Sequence, residues 1–347
     1  MTRVYLDYNA TTPLRAEARA AMIAAMDVVG NPSSVHAEGR AAKGLVERAR
    51  AQVAEAIGAS GADVVFVSGA TEAAALACKG RGLLGAPVEH DAVLGWVDPV
   101  LPVDASGSVT VAEPARSVLQ WANSETGVVQ DLPQGLAVSD ITQGVGRMPF
   151  AFSWSGVQMV FLSAHKFGGP KGIGALVFPQ GVDVAAQITG GGQEMGRRSG
   201  TENIIGIAGM GAAITAAMAD LEAGVWDRVE KLRNILESGV EASAKETILV
   251  GKEAPRLPNT SCLLTPGWKG ESQVMALDLA GIAVSAGSAC SSGKVKASRV
   301  LMAMGYNEAD AASAIRVSLG PETTEQDVSR FVDVWTDKAK RHRARAA

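Results

Sequence analysis

Met159-Val160-Phe161-Leu162-Ser163-Ala164-His165-Lys166-Phe167-Gly168-Gly169-Pro170 decides the fold. Four apolar residues in a row predict a strand buried on both faces. The polar turn after it puts a histidine and a lysine at the strand's carboxyl end, where open α/β sheets hold their ligands. Comparable apolar runs occur at Val64-Val65-Phe66-Val67, Val118-Leu119-Gln120-Trp121 and Ala175-Leu176-Val177-Phe178. Helical patterns alternate with them over 15–28, 38–57, 71–80 and 203–222, the second opening after the turn Gly30-Asn31-Pro32-Ser33-Ser34. Strands alternating with helices predict an α/β domain whose mainly parallel sheet is covered on both faces.

The texture changes near residue 220. An amphipathic helix over 226–245, prolines at 255, 258 and 266 in strand-like surroundings, a helix over 271–280 and a Gly/Ser loop over 285–293 predict a smaller α+β domain. The expected division is 13–220 for the large domain, with 1–12 and 221–347 forming the small one. A length of 347 residues agrees with two domains at about 150 residues each.

Charge excludes some functions. With 32 Lys+Arg against 36 Asp+Glu the net charge is −4, which gives no electrostatic footprint for nucleic acid and no general attraction to an anionic membrane. The apolar stretch from Ile204 to Ala219 is interrupted by Gly206, Gly209 and Gly211 and reads as a tightly packed core helix. Met1-Thr2-Arg3 leads straight into strand-like Val4-Tyr5-Leu6 without the apolar core of a secretory signal. Cysteines at 78, 262 and 290 match neither a disulfide framework nor a zinc pattern, so a reducing cytoplasm with at least one working thiol is the expectation. The basic run Lys338 to Arg345 reads as a solvated helix end.

Lys166 gains weight from Asp140 and Gln143, which follow the short strand Leu136-Ala137-Val138-Ser139. A lysine able to form a Schiff base and a carboxylate able to pair with a pyridinium nitrogen are what pyridoxal phosphate requires. That cofactor also needs an anion cradle. Ser68-Gly69-Ala70-Thr71-Glu72 supplies a tight turn, a hydroxyl and unpaired N–H groups at a helix start. Cys290 sits among small residues from Ser285 to Gly293 that cannot pack firmly, the setting for a thiol that must swing. Cys262, and less clearly Cys78, lie in apolar surroundings and read as inert.

These motifs, together with Tyr5-Leu6-Asp7-Tyr8-Asn9-Ala10-Thr11-Thr12-Pro13, Glu89-His90, Asn123-Ser124-Glu125-Thr126-Gly127, Arg198-Ser199-Gly200-Thr201-Glu202-Asn203, Ser288-Ala289-Cys290 and Ile315-Arg316-Val317-Ser318-Leu319-Gly320, resemble the cysteine desulfurases of the NifS/IscS type in order and over nearly the whole chain. The resemblance implies a fold-type I pyridoxal phosphate enzyme of the class V aminotransferase-like branch. Its implied architecture is a seven-stranded-type sheet domain plus a smaller domain, and its implied assembly is a homodimer in the cytoplasm. The implied reaction converts L-cysteine to L-alanine and passes the sulfur, as a persulfide on Cys290, to acceptor proteins such as an iron–sulfur scaffold. Lys166 would carry the cofactor, Asp140 would hold its ring nitrogen protonated, Gln143 would bond the ring hydroxyl and His90 would stack on the ring and act as acid or base. Thr71, Ser163 and His165 would hold the phosphate, with Thr201 reaching it from the other subunit. Asn123 and Arg316 would hold the substrate.

The chain is shorter than typical members, and the losses fall between motifs. Asp131 to Ala137 is seven residues, whereas a parallel crossover normally needs a dozen or more. Either a helix is missing there or the strand order differs, and a missing helix predicts an exposed apolar patch or cover from a partner subunit. Lys296-Ala297 stands where the long-loop subgroup commonly has an acidic residue and proline. Two further readings accompany the working desulfurase: a trimmed homologue that binds the cofactor and acts as scaffold or regulator, and a selenocysteine lyase.

Overall fold

The computed structural model describes residues 3–287 and 297–346. In chain order its first elements are β1 (Val4–Tyr5), α1 (Ala16–Met26), α2 (Ala37–Ala56), β2 (Ala62–Val67), α3 (Ala70–Cys78), β3 (Leu83–Leu84), α4 (Asp91–Leu94), β4 (Val97–Asp98), β5 (Ser139–Asp140), α5 (Phe152–Ser155), β6 (Val160–Ser163) and β7 (Gly174–Pro179). The rest are α6 (Ile204–Glu222), α7 (Val225–Ser243), β8 (Ile248–Leu249), β9 (Thr260–Leu264), α8 (Gly270–Asp278), β10 (Ile282–Ala283), β11 (Ser285–Ala286), α9 (Arg299–Ala303), α10 (Glu308–Ala311), β12 (Ala314–Ser318) and α11 (Glu325–Ala346).

The main sheet has the order β4, β3, residues 117–119, β5, β6, β7, β2. The segment 117–119 joins it through parallel bridges Leu84↔Ser117 and Val118↔Val138. Every neighbour pair is parallel except the two made by β7, which runs antiparallel to β6 and to β2. The period of two explains why the strands are apolar throughout. Val64 and Phe66 enter the core shared with α2 and α6, while Val65 and Val67 enter the core under α3. Val160 and Leu162 divide from Phe161 in the same way.

Helix α6 is long and apolar enough to cross a bilayer by length and composition. Its glycine face packs instead on α1 and α2: a Cβ at Gly209 would lie 2.7 Å from Met22 Cγ, and one at Gly211 would lie 2.9 Å from the Ala49 Cα. A second, antiparallel sheet has the order β11, β12, β9, β8 and is packed by α7 and α11 around Leu236, Phe331 and Trp335. Val4 and Leu6 join this core because β1 pairs with β10, Val4 opposite Ile282. A further cluster joins Ala86, Val88 and Leu101 to Val250, Cys262, Leu264 and Leu301, so residues of both regions share one core.

Between Gln130 and Ser139 the chain forms no helix. Since residues 117–119 and β5 remain direct neighbours, the strand order is intact and the crossover helix is what is missing. The bare patch expected there is mostly filled. Leu136 is buried and Phe152 of α5 joins the same core, which leaves Trp154, 86% exposed, next to Ser155, whose carbonyl accepts the Gln134 Nε2–H. At the C-terminus Arg341 pairs with Asp337, Arg343 pairs with Glu246, and His342 stacks on Trp268.

Candidate active site

The carboxyl ends of the parallel strands open on a cavity of about 560 Å³ lined by Thr71, His90, Asp140, Gln143, Ser163, His165 and Lys166. A second cavity of about 280 Å³ shares Ala10, His90, Ser124 and Lys166 with the first and ends at Arg316. Lys166 therefore stands at the junction of two spaces, one bounded by the sheet edge and one by β12.

Lys166 reaches the junction because β6 ends in a single 3-10 turn, Ala164–Lys166. Its Nζ donates to the carbonyls of Asn9 at 2.7 Å and Ala10 at 3.0 Å. Asp140 closes β5 at the cavity floor, half-buried, where it accepts the Thr142 N–H at 2.9 Å. Burial pushes its carboxyl up, opposed by the Thr142 bonds and by the charges of His90 and Lys166. A cation at its second oxygen would relieve that penalty. His90 caps α4, and its Nδ1 accepts the Ala92 N–H at 3.1 Å. That bond leaves Nε2 as the protonated nitrogen of the neutral ring.

The anion cradle lies between β2 and α3. Main-chain N–H groups at the start of α3 face the cavity beside Thr71, which is exposed, and Ser163, which is buried at the end of β6. The cradle fits closely because β7 runs under it: a Cβ at Gly174 would lie 2.7 Å from the Leu162 oxygen and 2.8 Å from the Gly69 Cα. Glu72 draws its carboxylate away from the cradle by accepting Ser68 N–H at 2.8 Å and Arg198 Nε at 2.9 Å, and these bonds hold its carboxyl low against burial. His165 pairs through Nδ1 with Thr11 Oγ1 at 3.2 Å. Burial, then Lys166 and Lys171, push His165 down to about 4, so it meets an anion as a neutral N–H donor. Lys171 lines the same cavity and was not singled out in the sequence.

Three expected residues stand elsewhere. Asn123 is absent from the lining of both cavities, although Ala122 and Ser124 on either side of it line the first. Its Oδ1 accepts N–H groups of Glu125 and Thr126, both at 2.9 Å, and its Nδ2 donates to Val88 O at 3.1 Å, so it builds the turn at 123–127. Thr201 is exposed and lines a separate cavity with Arg198 and Asn203, apart from Lys166 of its own chain. Cys290 lies outside the described residues, as does most of the 285–293 loop. Arg316 does reach the site: NH2 binds Asp7 at 2.8 Å, NH1 binds Ser124 O at 3.1 Å, and its buried Nε–H has no acceptor among the described residues. Asp7 also accepts Ser285 Oγ at 2.8 Å. Cys78 and Cys262 are buried thiols that desolvation pushes up to about 12.

Other functional neighbours carried little sequence signal. Glu89 is fully buried behind His90, with one oxygen accepting Gln120 N–H at 2.9 Å, and burial pushes its carboxyl far up. Glu125, raised by burial, accepts Ser298 Oγ at 2.6 Å, just where α9 begins. Asn9 is completely buried and joins three regions: its Oδ1 accepts Arg147 at 2.6 Å and Asn259 at 3.1 Å, and its Nδ2 donates to Thr260 Oγ1 at 2.9 Å.

The donor set suits pyridoxal phosphate in each of its parts: an amine for the aldehyde carbon, a half-buried carboxylate for the ring nitrogen, and a helix start with hydroxyls for the phosphate. The Aminotransferase class-V family matches residues 4–93 and 106–331. The unmatched stretch falls between His90 and Asn123, where the chain is trimmed. A cysteine desulfurase of Cereibacter sphaeroides is 39% identical over 96% of this chain and 95% of its own length. An IscS-like cysteine desulfurase of Mycobacterium tuberculosis is 36% identical over 99% and 98%. Among solved structures, a NifS-like protein from Rickettsia africae superposes with a TM-score of 0.87 at 30% identity, covering 96% of this chain and 99% of that one. SspA in complex with cysteine superposes at 0.75 with 26% identity, covering 93% and 100%. Likeness of sequence and fold over the full length, with the lysine, carboxylate and cradle meeting at one cavity, places this chain among the pyridoxal phosphate-dependent cysteine desulfurases of the class-V aminotransferase family.

Proposed function

We propose that this protein releases L-alanine from L-cysteine and carries the sulfur as a persulfide on Cys290. The observation that carries the reading is the position of Lys166 between the two cavities, one fitted for the cofactor and the other ending in an arginine. When bound, pyridoxal phosphate supplies an electron sink for the bonds at the substrate's α-carbon. Lys166 Nζ holds the cofactor and then moves the proton at that carbon. Asp140 accepts the ring N–H and keeps it protonated. Arg316 turns its Nε–H and a terminal N–H to the substrate carboxylate, a two-pronged bond that orients the amino acid. His90, which lines both cavities, acts as acid or base beside the substrate. The Cys290 thiolate attacks the substrate sulfur: the S–S bond forms as the substrate's Cβ–S bond breaks, the electron pair stays on the carbon side, and a proton added at Cβ completes the methyl group of alanine. The cysteine bound by SspA belongs to the same substrate class.

The working assembly is a homodimer, in which Thr201 completes the partner's phosphate site. Ile23, Met26, Val29 and Val35 support it, being exposed large apolar residues within one short stretch. Sulfur leaves to an acceptor protein in the cytoplasm, for iron–sulfur cluster assembly or for thiolation.

The test is alanine formation from L-cysteine with a thiol reductant, by wild type, Lys166→Ala and Cys290→Ala. Equal alanine and sulfide from wild type, with both lost in the variants, supports the reading. A yellow, cofactor-loaded protein that makes no alanine points to a scaffold. Selenium release from selenocysteine that persists in Cys290→Ala while cysteine turnover collapses points to a selenocysteine lyase, whereas cysteine turnover retained in that variant removes Cys290 from the mechanism.

A further inference from the structure

Arg147 is a buried cation whose hydrogen bonds among the described residues go to no carboxylate. Its NH1 donates to Asn9 Oδ1 at 2.6 Å and to Gln143 Oε1 at 2.9 Å, and its NH2 donates to Lys166 O at 3.2 Å and Tyr8 O at 3.4 Å. Burial, then Arg316, push the guanidinium down to about 9, so it stays charged at neutral pH. Gln143 Nε2 donates one proton to Asn9 O at 3.1 Å. The amide is thereby fixed in one sense. Rotating it by half a turn would set its NH2 against the Arg147 donors and its oxygen against the Asn9 carbonyl oxygen, two like-with-like contacts in a buried place. The group left for the cavity that Gln143 lines is its second Nε2–H.

We propose that Arg147 is a positioning residue that locks the Gln143 amide with its N–H toward the cofactor cavity, so that the site selects a cofactor bearing an anionic ring oxygen there. The charge behind the amide strengthens its N–H as a donor, because a bond drawn on by a buried cation polarises the next. The lock is local, since Arg147 follows Gln143 by four residues in the turn that opens with Val145 N–H bonding Ile141 O at 3.1 Å. The bond to Lys166 O fixes the carrier lysine's main chain from the same side.

This inference rests on the cofactor assignment. Its test uses apo-protein stripped of cofactor and titrated with pyridoxal phosphate and with its 3-O-methyl ether, which cannot present an anionic oxygen. Wild type is expected to prefer pyridoxal phosphate, and Arg147→Gln to lose about 10- to 100-fold of that affinity while binding the ether within about twofold of wild type, the range of one bond to a charged acceptor. Arg147→Lys keeps the charge and is expected to keep most of the preference. Equal losses for both compounds in Arg147→Gln would mean that the arginine only supports the fold, and would overturn the proposal. If Arg147→Gln does not fold, Arg147→Lys decides, since its ammonium keeps the charge but cannot make all four bonds: a preference lowered a few-fold with unchanged ether binding supports the lock, and loss of affinity for both compounds, or no change in either, overturns it. Wild type binding neither compound would overturn the cofactor reading together with this inference.

Discussion

Gly174 is where one methyl group tests how the sheet sets the phosphate cradle. In Gly174→Ala the new carbon would stand 2.7 Å from Leu162 O, 2.8 Å from Gly69 Cα and 2.9 Å from Gly69 C, all of them backbone atoms. Ordinary carbon contacts begin near 3.5 Å, so something must move by about 0.7 Å. Strand β6 resists, since its ladder pairs Ser163 with Gly174 and Leu162 with Ala175. The half-buried turn at Gly69 gives instead, and it takes the N–H groups of the cradle with it. Overpacking of this kind costs about 1–3 kcal/mol, a fall in Tm of roughly 4–8 °C at the middle of that range. Misplacing one bond to the phosphate costs about 1.5–3 kcal/mol, or 10- to 100-fold in affinity. The assay is calorimetric or fluorescence titration of apo-protein with pyridoxal phosphate and with pyridoxal, beside thermal melts. The phosphate ester should lose affinity and the free alcohol should not. Gly44→Ala, where a Cβ meets nothing within 4 Å, is the control and should stabilise α2 by about 0.5–1 kcal/mol. Unchanged melting and unchanged affinity in Gly174→Ala would show that the cradle is not held by this contact.

His165 titrates near 4 when folded, below its ordinary value of about 6.5, so the unfolded chain binds more protons between those values and stability falls as pH drops through that window. Partial exposure limits the effect to about 1–2 kcal/mol, so wild-type apo-protein should lose that much more than His165→Asn between pH 7 and 4 in urea melts, and parallel curves would refute it. Arg316→Lys removes the fork that holds Asp7 and Ser124 and should raise KM for cysteine about 10- to 100-fold while cofactor affinity stays within about twofold. A change confined to kcat would contradict its placement at the substrate carboxylate. With a disulfide reagent the native protein should show one fast thiol, Cys290, while Cys78 and Cys262 react only after unfolding; a second fast thiol would refute the inert assignment.

The fold could be read from the sequence where burial on two faces forces a strand to be apolar throughout, as at Val64–Val67 and Val160–Leu162. Lys166 and Asp140 were legible for a related reason, each following a strand directly and so standing at the sheet's carboxyl edge. Counting residues from Asp131 to Ala137 exposed the missing helix, because a crossover has a minimum length. Asn123 shows the limit. Its identity was plain, but whether its amide faces the cavity or the turn depends on Val88, 35 residues away, which accepts its Nδ2–H. Arg147 was missed, and Asn9 and Glu89 were read as motif members without a role, since each acquires its setting from partners far along the chain, such as Asn259, 250 residues from Asn9. No local pattern marks such a residue.

The pairing of β1 with β10 sets an order of events during synthesis. Val4 waits for Ile282, and Asn9 waits for Asn259 and for Ser318, whose Oγ accepts its N–H at 3.0 Å. At 5–20 residues per second the ribosome needs on the order of 15–60 s to bring these partners out. Through that interval the segment that carries both carbonyls for Lys166 can bond Gln143, Arg147 and Lys166 on one flank only, its other flank waiting for β9 and β12. The cofactor cavity is lined by residues 10 to 172 while the substrate cavity ends at Arg316, so the wall that orients the amino acid is the last part of the site to be made.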